Sequence, residues 1–166
     1  NGFLSYMAAV TILDNKDWPD ANIKFWRYSD KEKGTDKKDG RWYFIFADMD
    51  LGLGVYGEPD APLFERLKGR TTQIPILFNA CMRSPDLQEM FKAKVDSMLS
   101  GPLSAERATA VLDAVVARME PEMPRHIARW RKPSDMGAWK FEVERVRAYL
   151  RSRPEQVHSQ LPELFR

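Results

Sequence analysis

Asn15-Lys16-Asp17-Trp18-Pro19-Asp20-Ala21-Asn22-Ile23-Lys24-Phe25-Trp26-Arg27 and Arg41-Trp42-Tyr43-Phe44-Ile45-Phe46-Ala47-Asp48-Met49-Asp50-Leu51-Gly52-Leu53-Gly54 are the stretches whose reading decides the fold. In each, an aromatic and β-branched run (residues 23–26 and 42–47) suits a short strand, and acids sit where the strand meets a loop. Between them, residues 29–40 are rich in Lys, Asp and Gly, with turn chemistry at Asp39-Gly40. They read as the long solvated loop of a hairpin. Upstream, residues 2–13 place Phe3, Met7 and Val10 on one helical face and end at Asp14-Asn15-Lys16-Asp17.

The chain changes character at residues 57–62, after which nearly everything has helical periodicity. Ser84-Pro85 supplies an N-cap and a first-turn proline for a helix to about Leu99, with Leu87, Met90, Phe91, Val95 and Met98 on its apolar face. Ser104 opens the next helix, whose stripe is Ala108, Val111, Leu112, Val115, Val116 and Met119. Pro121 and Pro124 interrupt the pattern before a short helix with Ile127 and Trp130. A long helix follows with Trp139, Val143, Val146 and Leu150, and Pro154 is expected to start a last one with Val157 and Leu161. These stripes are read as core.

The 166 residues, 43% of them hydrophobic, suffice for one domain with a core. With 26 basic against 24 acidic side chains, interleaved and netting +2, the chain lacks the clustered basic excess of a nucleic-acid binder. No apolar run approaches the ~20 residues that span a bilayer. The one cysteine, Cys81, follows Ile76-Leu77-Phe78 and reads as a small buried hydrophobe, while His126 and His158 are too isolated for a metal site and read as helix-surface residues. Arg70-Thr71-Thr72 is placed near the acceptor side of a cleft.

Phosphoryl transfer needs a carboxylate to orient or deprotonate the nucleophile and oxygen ligands to hold magnesium against the phosphates. Asp17 and Asn22 have the D-x-x-x-x-N spacing of a protein-kinase catalytic loop, and Asp50-Leu51-Gly52 has the form of the D-F-G signature with Leu for Phe. Asp48 and Asp50, two residues apart beyond a strand, can both reach a divalent ion if Gly52 and Gly54 let the backbone turn. A plainer reading makes Asp17 and Asp20 loop caps, and Asp48 and Asp50 a turn. The order of elements (helix, Asp/Asn pair, strand, hairpin, strand, metal-binding acid) is that of a kinase C-terminal lobe.

The two stretches quoted first resemble the core motifs of the CotH (spore coat protein H) kinase family. Residues 121–130, 143–147 and 153–155 resemble its C-terminal helical region, so the likeness covers nearly the whole chain. It implies an α+β, mostly α-helical fold like the C-terminal lobe of a protein kinase, with a small β-hairpin bearing the active-site loops. It further implies ATP and Mg2+ as cofactors and protein Ser/Thr hydroxyls as acceptors, without nucleic acid. Asp17 would be the catalytic Asp and Asn22 a metal ligand, with Asp48 or Asp50 as the metal-binding acid; the sequence does not choose between the two. Many relatives carry two consecutive asparagines where this chain has Ala21-Asn22. The resemblance points to the spore coat or cell envelope, although no signal is readable.

A kinase also needs a lobe that covers the phosphates with a flexible loop and contributes a Lys–Glu pair. No G-x-G-x-x-G or P-loop pattern occurs here. The chain is therefore expected to be the C-terminal portion of one such domain, with residues 1–57 carrying the catalytic and metal-binding loops, 58–166 a helical region, and the N-terminal nucleotide lobe absent. Alone it is expected to be inactive, folding but binding ATP weakly or not at all. Two other readings stay open: a non-catalytic coat or cell-surface binding module, and a metal-dependent phosphohydrolase.

Overall fold

The computed structural model describes residues 2–19, 21–30, 34, 36–58, 60–68 and 71–165. Helix α1 (Gly2–Leu13) lies at the centre. The expected face of Phe3, Met7 and Val10 proves too narrow, because Leu4, Tyr6, Met7, Ala8, Ala9, Val10, Thr11 and Ile12 are all buried. A helix apolar all round has no solvent face to keep and is covered on several sides. Helix α3 (Pro85–Leu99) packs along it, burying Phe91, Val95 and Leu99, as the periodicity predicts. Helix α2 (Gln73–Cys81), which the sequence did not delimit, brings Phe78 into edge-on contact with Phe91, ring centroids 5.1 Å apart.

Strands β1 (Lys24–Trp26) and β2 (Tyr43–Ile45) pair antiparallel, Phe25 opposite Phe44. The pleat sends alternate side chains to opposite faces. Phe44 meets Phe3 and Tyr6 of α1 at 5.2 and 5.1 Å between centroids, while Trp26 stacks on Tyr43 on the other face. The hairpin is therefore fastened to α1 by one face. Its loop turns as expected at Asp39-Gly40: the Arg41 N–H donates to Asp39 Oδ1 at 2.9 Å, which holds that carboxyl below its usual range, and Gly40 has φ +73°.

Two expectations about the helical region are corrected. Helix α4 (Ala105–Met119) is capped by Ser104, whose hydroxyl accepts from the Arg107 N–H, yet it buries no residue. Val111 is 65% exposed, and Val115 and Met119 are also exposed. The helix packs mainly on α6, and half of its apolar stripe faces outward. Helix α5 (Met123–Trp130) likewise buries Met123 and exposes Trp130. The second correction concerns Pro154, which does not begin a helix. Helix α6 runs unbroken from Met136 to Gln160 with Pro154 inside it. Proline costs an isolated helix about 3 kcal/mol. Here the flanking residues Arg153 and Val157, one turn apart on one face, are both buried, and that anchorage holds the helix on course.

Cys81 is half-buried beside the core and burial pushes its thiol up, consistent with a small hydrophobe. His126 is exposed, and His158 pairs with Asp96 at 3.0 Å, tying α6 to α3 on the surface. Among the described residues no helix is long and apolar enough to cross a membrane.

Candidate active site

Helix α1 ends because Asp14 takes a left-handed conformation, φ +52°, and turns the chain into the loop of residues 14–22. Residues 46–54 form a second loop beyond β2. Two backbone bonds join them: Leu53 N–H to Leu13 O at 2.8 Å and Lys16 N–H to Leu51 O at 3.1 Å. The tight approach demands Gly52, where a Cβ would lie 2.9 Å from the Leu13 carbonyl oxygen and 3.1 Å from that of Met49. Both neighbours are backbone and cannot swing aside. Gly52→Ala is therefore expected to cost about 1–3 kcal/mol in urea denaturation by forcing the loops apart. Gly54 is constrained differently, by φ +81° and by the Tyr149 ring 2.7 Å from where its Cβ would stand.

The sequence-predicted residues fall on these two loops. Asn22 Nδ2 donates to Asp17 Oδ2 at 3.3 Å, so the five-residue spacing becomes a direct side-chain contact. Asp48 and Asp50 are exposed and stand beside one another on the loop beyond β2. The Asp50 carboxyl beside it raises the affinity of Asp48 for a proton; burial and the charge of Asp17 add to the effect, and Lys24 opposes it. Asp17, Asp48 and Asp50 thus lie within one field. Asp20, offered above as a loop cap, lies outside the described residues.

The donor set is two hard carboxylates repelling one another on an exposed turn, which suits a magnesium-like cation. Asn22 is turned toward Asp17 through its amide nitrogen, leaving its oxygen as the atom able to ligate. Among the described residues no three Asp, Glu, His or Cys side chains gather closely enough to hold a metal by themselves, so water or phosphate oxygens would have to complete the shell.

Several residues that build the site were not singled out in the sequence. Asn15 bridges the loops: its Oδ1 accepts from the Asp17 N–H at 3.1 Å and its Nδ2 donates to Asp48 O at 2.9 Å. Arg66, in a 3₁₀ turn, donates through Nη1 to Asn15 O at 3.2 Å and through Nη2 to Lys16 O. Lys16 Nζ pairs with the buried Asp14 at 2.7 Å, and Tyr149 OH reaches the same carboxylate at 3.5 Å. An Asn two residues before an N–H it can cap is a readable Asx-turn signal. The roles of Arg66 and Tyr149 depend on segments distant in sequence. Thr71 and Thr72 line a groove of about 380 Å³ with Pro19, Ile23 and Phe25, on the flank of the Asp17 loop; Arg70 lies outside the described residues.

In comparison with known proteins, the family model described as CotH kinase protein matches residues 1–157. No curated protein and no solved structure matches the chain significantly.

Proposed function

Because the chain belongs to the CotH kinase protein family, we propose that it carries the catalytic half of an enzyme that transfers phosphate from ATP to protein Ser/Thr hydroxyls. The observation that carries this reading is the Asp17–Asn22 contact standing beside the Asp48–Asp50 pair. Asp17 orients the acceptor hydroxyl and takes its proton as the oxygen attacks the γ-phosphorus and ADP leaves. Asn22 fixes the Asp17 carboxylate. Asp48 and Asp50 would hold the divalent cation, with the Asn22 side-chain oxygen as a further ligand. When bound, that cation neutralises charge on the phosphates. The groove beside Pro19 and Thr71-Thr72 offers room for an acceptor segment near Asp17. The nucleotide-covering lobe is proposed to be supplied by other parts of the natural protein.

A binding module without catalysis is the second reading, and the exposed apolar side chains of Val111, Trp130 and Phe141 favour it. Incubating the full-length protein with labelled ATP, magnesium and a serine-rich protein acceptor separates the two. Label is expected on the acceptor, and Asp50→Ala is expected to remove it. Transfer that survives both Asp50→Ala and Asp17→Ala would discard the site assignment; no transfer at all would favour the binding module.

A further inference from the structure

We infer that Asn15 is the positioning residue that sets the acceptor-side acid and the metal-side acids in register; this rests on the proposed function above. Its side chain is 3% exposed, and both polar atoms are used across the two loops. Oδ1 holds the backbone N–H of Asp17 at 3.1 Å, and Nδ2 holds the backbone carbonyl of Asp48 at 2.9 Å and touches Met49 Sδ at 3.5 Å. One rigid, planar amide thus spans the two acids assigned opposite ends of the reaction.

The carbonyl that Asn15 grips belongs to a residue that needs gripping. Asp48 has φ +54°, a left-handed conformation that a non-glycine residue keeps only when its surroundings over-determine it. Such conformations recur around this site, at Asp14, Asn22 and Leu53. Leu53 is held by its bond to Leu13 O and Asn22 by its side-chain bond to Asp17. For Asp48 the bond that spans the loops comes from Asn15. Arg66 in turn grips the Asn15 carbonyl, so the bridging residue is fixed from behind. Losing the amide frees Asp48 to relax toward an ordinary backbone conformation and carries its carboxylate away from Asp50. Partners that orient metal ligands in this way are typically worth about tenfold to a hundredfold in metal affinity.

The test reads metal binding rather than turnover, using Tb3+ alone as the probe and luminescence excited through Trp18, next to Asp17 in the chain. Asn15→Leu and Asn15→Ser are compared with the parent and with Val95→Ala, a fully buried core change on α3 that lowers the melting temperature and has no part in either loop. Both Asn15 variants are expected to raise the Tb3+ dissociation constant about tenfold or more. Val95→Ala should stay within about twofold of the parent, as a site without shared partners should. Asn15 variants that bind within twofold of the parent, whatever their melting temperature, overturn the inference. Equal loss in Val95→Ala overturns it too, since Asn15 would then act only through stability. If the leucine variant does not fold, the serine variant decides; if neither folds, Asn15 is a folding residue and the assignment fails. A parent that binds no Tb3+ removes the metal-site reading itself, an outcome distinct from all of these.

Discussion

Asp17→Asn is expected to lower phosphate transfer by the full protein about 10²- to 10⁴-fold while leaving its melting temperature close to that of the parent. The range is what a positioned general base contributes. The fold should tolerate the change because the bond that anchors residue 17 to its loop is made by its backbone N–H to Asn15, and the substitution leaves this bond intact. What is lost is the carboxylate that Asn22 steadies. An amide there cannot take a proton from an acceptor hydroxyl. The loss should appear in kcat, with the KM for ATP little altered, because the two carboxylates assigned to the metal, Asp48 and Asp50, lie on the other loop. A variant keeping more than a tenth of parental kcat would mean that another group orients the nucleophile.

Asn22→Ala gives a graded companion to that result within the same argument. It leaves the carboxylate but removes the side chain that bonds it, and it also removes an oxygen proposed to face the metal. Activity should therefore fall together with magnesium affinity, unlike in Asp17→Asn. The two residues share a contact, so their effects should not add.

The hairpin and its two acid-bearing loops were legible because their signals are local. Aromatic and β-branched runs marked β1 and β2, a D-x-x-x-x-N spacing marked one loop, and D-L-G marked the other. The Ser104 cap and first-turn Pro85 likewise placed two helix starts correctly. Periodicity could reveal that α4 has an apolar stripe, but not that packing on α6 would leave half of it exposed. Pro154 was misread for a related reason. A proline predicts a break from local energetics, whereas Arg153 and Val157 are held by residues more than a hundred positions away and by the core. The same distance hid Arg66, Tyr149 and Arg153 as supports of the site. Asn15 and Lys16 stood in the quoted stretch and Asp14 just before it, yet their geometry appears only when residues 48–57 come alongside.

Arg153→Met should be among the most damaging single changes to stability, at about 3 kcal/mol in urea denaturation, because it strands the buried Ile12 carbonyl and leaves that of Thr11 to the Asp14 N–H. A helix leaves its last carbonyls without intrahelical partners, and those of α1 end inside the protein. Arg153 answers them: Nε donates to Ile12 O at 2.6 Å and Nη2 to Thr11 O at 2.8 Å, with the guanidinium 5.0 Å from the Tyr149 ring centroid. Its charge also sits at the negative end of the α1 dipole. Burial pulls its proton affinity down, and Tyr149 and Asp14 partly restore it. Methionine can fill much of the volume but can donate to neither carbonyl. Arg153→Lys should recover only part of the loss, since one ammonium on a flexible stem cannot reproduce the planar fork. The chain leaves α1 directly into Asp14 and Asp17, so the methionine variant should also speed hydrogen exchange at the Asp17 amide beyond that of the α3 core. A loss below about 1 kcal/mol would show that water satisfies these carbonyls, and the dependence of the catalytic loop on α6 would have to be abandoned.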